Sequence, residues 1–198
     1  MDNITEKVFE YNGFPCLVSF TPGCWRCGYV GVPEGHVLYG MDYHGLNEVI
    51  DCHGGVTYTE NYVNKYKSYK GETYWWIGFD CAHAGDGYDF ETGRKYYKDD
   101  KQTLSSIDNR EKIERKYHSD EKPVTLQEVV GECISIVEQI KEIEAKGITE
   151  LDILIKELSN SWDDTAVKAS KYLEKYRDMI QKPLGDRIID VLREVRGE

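Results

Sequence analysis

Residues 73–86 read TYWWIGFDCAHAGD. From Tyr74 to Phe79 the run is apolar on both faces of an extended chain, the mark of a strand covered on both sides. It stops at Asp80. A thiol, an imidazole and a second carboxylate then follow within six positions, at Cys81, His83 and Asp86. A covered strand requires neighbours in a sheet and a layer over each face. This stretch therefore sets both the fold class and the first candidate site.

Working outward, four more strands are expected, over VFEYNG (8–13), FPCLVSF (14–20), CGYVGV (27–32) and GGVTYTE (54–60). Gly and Pro punctuate this half at Gly13, Pro15, Gly23, Gly28, Gly31, Pro33, Gly35 and Gly40, a spacing that breaks helices and suits short strands and turns. NKYKSYKGETY (64–74) interleaves Lys with Tyr and reads as a solvated loop rather than a lid. Tyr88 to His118 is polar and charged, and reads as a long excursion with one helix over SSIDNREKIERKYH (105–118).

After Pro123 the pattern turns helical. Thr125-Leu126-Gln127-Glu128 is a capping box, and Leu126, Val130, Cys133, Val137 and Ile140 recur at helical spacing up to Gly147. Helices are expected over roughly 126–146, 150–159, 162–181 and 185–196. Ser161 is the expected cap of the third. Trp162, Ala166, Ala169, Leu173, Tyr176 and Ile180 form a seam along it, too short to favour a coiled coil over simple helix packing. The fold class is α+β: a small, mainly antiparallel sheet domain (1–122) followed by a helical segment (123–198) that offers a surface for self-association.

The chain has 198 residues and a formal charge of −11. Duplex nucleic acid is disfavoured, because phosphates need a basic face. No apolar run approaches the ~20 residues of a membrane span. MDNITEKVFE lacks the basic start and apolar core of a secretory leader, so an intracellular setting with reduced thiols is expected for the six cysteines.

Polar clusters fall at strand ends: CWRCGY (24–29), EGHVLYGMDYH (34–44), DCHGG (51–55) and DCAHAGD (80–86). If the strands beside the last two pair antiparallel, His53 and Asp80 meet at one sheet edge. Three chemistries follow. Cys24 and Cys27 have the spacing of zinc ligands, although buried apolar thiols are the preferred reading and no metal or other cofactor is assigned. His53, Asp80, His83 and Asp86 suit a divalent ion or acid–base work on a phosphate ester, with Cys52 or Cys81 as a conceivable nucleophile. Third, Tyr and Trp faces with Arg26 beside Trp25 suit capture of a nucleotide-like ligand, rings stacking on a base and a guanidinium forking onto phosphate. A salt bridge from Arg26 to Asp42, Glu48 or Asp51 is the structural alternative.

Taken together, Gly28-Tyr29-Val30, Pro33-x-x-His36-x-x-Tyr39-Gly40, His53-Gly54-Gly55-x-Thr57 and Trp75-x-x-Gly78-Phe79-Asp80-x-Ala82-His83-x-x-Asp86 resemble a family of small bacteriophage and prophage accessory proteins. The resemblance spans roughly positions 14 to 90, with a helix after 124. It implies a cytoplasmic protein of an infected or lysogenic bacterium and a role against host defence. The leading expectation is binding of a small nucleotide-like ligand, sequestering a host immune signal, at Trp25, Arg26, His36, Tyr39, His53, Trp76, Asp80, His83 and Asp86. Binding is preferred to catalysis and no catalytic residue is assigned. The alternatives are a phosphodiesterase-like hydrolase of such a signal and a protein-binding inhibitor acting through the helices.

Overall fold

Asn12 and Gly13 both adopt left-handed backbone (φ 47° and 85°), the two-residue turn whose twist matches a hairpin. It joins β1 (Ile4–Tyr11) to β2 (Phe14–Phe20), which pair antiparallel from Tyr11 opposite Phe14. The chain then reverses through Thr21–Trp25 into β3 (Arg26–Pro33). These coordinates come from a computed structural model that describes residues 2–64, 68–117, 120–175 and 177.

Two short strands follow, β4 (Tyr58–Glu60) and β5 (Ser68–Tyr69), and then the long β6 (Glu72–Asp80). β6 lies between β3 and β4 in the order β1-β2-β3-β6-β4, with β5 paired to its start, and every pairing is antiparallel. Trp76, Ile77 and Phe79 are buried, as a covered central strand requires. Most of the Lys–Tyr loop expected over 64–74 is thus a hairpin, and its residues 65–67 lie outside the described residues.

Helices lie before and after β6. Asp42 caps α1 (Tyr43–Asn47), a short helix that the sequence pattern does not announce. Asp89 caps α2 (Phe90–Tyr96), and α3 (Lys101–Tyr117) follows. The supposed excursion is therefore two helices, and the second begins ahead of the expected 105–118. Its period is hidden because Ile107 is its one described buried residue. Ile107 joins Phe20, Cys24 and Tyr97 in a small core.

The capping box at Thr125 and Glu128 is present and starts α4 (Leu126–Lys146), and Gly147 ends it in left-handed backbone. The buried stripe is Val129, Cys133, Ile136, Val137, Ile140 and Ile143; Leu126 and Val130 stand at its margin. α4 packs on β3 and β2. Gly28 permits this approach, since a Cβ there would sit 2.9 Å from Cys133 Sγ and 2.5 Å from Phe79. Leu17, Cys27, Tyr29, Val63, Tyr74 and Trp76 form a second cluster, which strand alternation places on the opposite face.

The chain divides into two compact units, Met1–Ile148 and Thr149–Glu198. This boundary lies beyond the change of pattern at 122/123, because α4 is buried against the sheet and belongs to the first unit. In the second unit a Thr149–Asp152 capping box starts α5 (Glu150–Ser159), which packs with α6 (Asp164–Lys175). Trp162 and the expected cap Ser161 lie ahead of α6. The carboxylate of Asp163 instead accepts from the N–H groups of Thr165 and Ala166. Tyr176, Ile180 and the helix expected over 185–196 lie outside the described residues. No described helix is long and apolar enough to cross a membrane.

Candidate functional site

The site is built from two loops that meet where β6 ends. Antiparallel pairing of β4 with β6 brings residues before the one beside residues after the other. The Thr57 N–H donates to Gly78 O at 2.9 Å, which carries the ladder back toward His53. The Thr57 hydroxyl then donates to Asp80 Oδ2 at 2.9 Å, while Asp80 Oδ1 accepts the Ala82 N–H at 3.2 Å. Asp80 is thus a clasp between the loops rather than a free carboxylate.

The His53 loop is further held by two amide side chains that pair with backbone as a strand would. Asn47 accepts the Val56 N–H at 2.7 Å and donates to Val56 O at 3.0 Å. Gln139 of α4 accepts the Asp51 N–H and donates to Asp51 O, both at 2.7 Å. Neither residue is visible as a site element in the sequence: Gln139 acts from 88 positions away, and Asn47, nine positions before Val56, carries no motif that marks it. On the other side, the turn after β6 closes through Asp86 N–H to His83 O at 3.0 Å.

Between the loops, His53 Nε2 lies 2.8 Å from Asp86 Oδ2, which also accepts the His83 N–H at 2.9 Å. His83 Nδ1 is 3.5 Å from the same oxygen, and the two imidazole centroids are 5.6 Å apart. The side chains are 30%, 34% and 10% exposed for His53, His83 and Asp86, so the cluster opens to solvent without being superficial. His83 Nδ1 is itself buried and makes no hydrogen bond. Gly54 makes the convergence possible. Its φ is +68°, and a Cβ there would fall 2.0 Å from His83 Cε1. The Gly of the His-Gly-Gly motif is therefore the seat of the second imidazole.

Burial acts to raise the Asp86 pKa, but hydrogen bonds from His53 and the His83 amide, with the charge of both rings, hold it below its ordinary value. Glu128 lies close enough to feel the charge of His53, and Glu132 close enough to act on Cys52 and Cys81. Burial pushes the Cys52 thiol up to about 12 and raises Cys81 as well. Both are protonated at neutral pH, which weighs against the Cys–His nucleophile.

The remaining expected residues are elsewhere. Arg26 is 6% exposed and engaged on several sides: Nε donates to Glu6 at 2.8 Å, and Nη1 to Asp89 and to Val124 O, each at 3.0 Å. Its partners are therefore Glu6 and Asp89, not Asp42, Glu48 or Asp51. Trp76 is 0% exposed, a core side chain that offers no face to a ligand. Trp25 lies over Gly23 and against Tyr88. His36 accepts the Leu38 N–H through Nδ1, and its other ring nitrogen faces Glu144 of α4. Tyr39 packs against Trp75, which at ~3.3 Å rise per residue is ~17 Å along β6 from Asp80. The capture pocket drawn from the sequence is thus dispersed, while His53, His83 and Asp86 converge. Cys24 and Cys27 also part company, one packed with Phe20 and Tyr97, the other with Leu17 and Trp76. Among the described residues, the metal-competent grouping of three or more side chains is His53, His83 and Asp86. Comparison with protein-family models, with curated proteins and with solved structures finds no match for this chain.

Proposed function

We propose that the cluster of His53, His83 and Asp86 hydrolyses a phosphoester bond in a small nucleotide-like molecule, the chain serving as a phage-type accessory protein that removes a host signal. The observation that carries this reading is the convergence of two imidazoles and one carboxylate, from loops 30 residues apart (positions 53 and 83), in a partly exposed cluster. Such groups transfer protons near neutral pH or hold an ion that activates water. In the reaction, water adds to phosphorus, the P–O ester bond breaks, and the leaving oxygen takes up a proton, giving a phosphomonoester and a free hydroxyl. Capture without cleavage is supported less, because Arg26 and Trp76, the fork and the stacking face it needs, are both consumed by the fold.

The test is incubation of the purified chain with cyclic and ADP-ribose-type nucleotides, followed by chromatography. New products that disappear in His53→Ala and Asp86→Asn support hydrolysis. Depletion of the nucleotide that heat denaturation reverses, with no product formed, would replace hydrolysis by capture.

A further inference from the structure

We infer that His53, His83 and Asp86 are the three protein ligands of a first-row divalent transition-metal ion, with zinc the reference case, bound through His53 Nε2, His83 Nδ1 and an Asp86 carboxylate oxygen. The inference deepens the reading of this cluster as a hydrolytic centre and rests on it for its chemical purpose. Three observations support it independently of that purpose.

The first is spacing. The three candidate ligand atoms lie within 4.8 Å of one another. A tetrahedral ion with bonds of ~2.0–2.1 Å sets its ligand atoms ~3.3 Å apart. The separations from Asp86 Oδ2, 2.8 Å to His53 and 3.5 Å to His83, bracket that value. The second is an orphan. His83 Nδ1 is shielded from water and has no hydrogen bond, an unfavourable state for a buried polar atom. Coordination relieves it. The third is construction. A left-handed glycine admits the His83 ring where a Cβ would collide with it, and the Asn47 and Gln139 amides hold the backbone beside His53.

Donor chemistry narrows the ion. Two imidazole nitrogens and one carboxylate suit zinc, iron, cobalt, nickel or manganese and not magnesium or calcium, which take oxygen. Three protein ligands leave a position for water, the arrangement of catalytic rather than structural zinc.

The test uses the full chain and Co2+ as a coloured probe, followed by competition with Zn2+. The expected result is saturable binding of one ion per chain, with a four- or five-coordinate visible spectrum and no thiolate charge-transfer band. His53→Ala, His83→Ala and Asp86→Ala are each expected to weaken binding by at least ~10–100-fold, the range already seen when only a group behind a ligand is lost. If these variants fail to fold, the wild-type spectrum still decides. A thiolate band, or no saturable binding, overturns the site. The two readings also fail separately. Saturable cobalt with no nucleotide cleaved under any ion ends the hydrolase reading and leaves the ion site standing. Cleavage that persists in chelator, with no cobalt bound, ends the ion site and leaves hydrolysis standing.

Discussion

Two charged clusters sit side by side where β3 begins and β6 ends, joined through the hydrogen bond from the Cys81 N–H to Arg26 O. Around Arg26, Glu6 and Asp89 supply carboxylates, Val124 supplies a carbonyl, and the Tyr96 hydroxyl donates to Glu6 at 2.9 Å. These groups are largely buried and paired. Around Asp86, two imidazoles are about one third exposed and one ring nitrogen is left without a hydrogen bond. The contrast teaches how to tell a brace from a site when both are built of the same residue types. A brace uses up its donors and acceptors on the chain itself, whereas a site leaves some of them unspent.

Arg26 gives the largest expected effect. Arg26→Met leaves the Glu6 and Asp89 carboxylates without their cation, and removal of one partner from a buried pair costs about 3–5 kcal/mol. Urea unfolding should show that loss, with cobalt affinity per folded molecule unchanged. An Arg26 variant that folds normally but no longer handles nucleotide would return this residue to the site.

Gly54→Ala is expected to act in the opposite sense. It forces a Cβ into the His83 ring at a position with positive φ. Backbone strain of this kind costs about 1–3 kcal/mol, yet ion binding and hydrolysis should fall far more than that stability change explains. Cobalt titration beside a melting curve separates the two effects. Unchanged cobalt affinity would show that the seat of the ring is irrelevant.

Thr57→Val removes the hydroxyl that closes the clasp on Asp80. The expected cost is about 0.5–1.5 kcal/mol, with ion affinity weakened and restored by Thr57→Ser.

The smallest effect belongs to His36. Its burial holds the imidazole pKa below its ordinary 6.5, with Glu144 acting against that shift and Lys141 adding to it. As pH falls through about 6.5 the unfolded chain takes up the proton before the folded chain does. Stability therefore declines from there to the folded-state pKa and then levels off. His36→Gln should remove this part of the pH profile of unfolding, and an unchanged profile would assign it elsewhere.

Much of the frame was legible in residues close together in the chain. Glycine and proline punctuation located the strands, the covered run at 74–79 identified the central one, and Thr125 to Glu128 opened α4 as its capping pattern requires; Asn12-Gly13, expected inside the first strand, is instead the turn after it. The convergence of His53 with the turn after Asp80 was legible once the flanking strands were taken as antiparallel, which they are. Less visible were α2 and α3, whose polar surfaces mask their period, and the place of α4 in the first unit rather than in a separate helical segment.

What the sequence alone determined is local: where strands and turns fall, where helices start, and which two loops carry imidazoles. What tertiary structure decided is which polar groups remain available. Arg26 was a candidate ligand until partners 20, 63 and 98 positions away closed around it, and Trp76 was a stacking face until the second core cluster covered it. Hydrogen bonds and burial are short-range in space but indifferent to separation along the chain. Residue spacing therefore records periodicity and local caps, and only the folded arrangement shows that the polar capacity of Arg26 is spent while that of His83 is not.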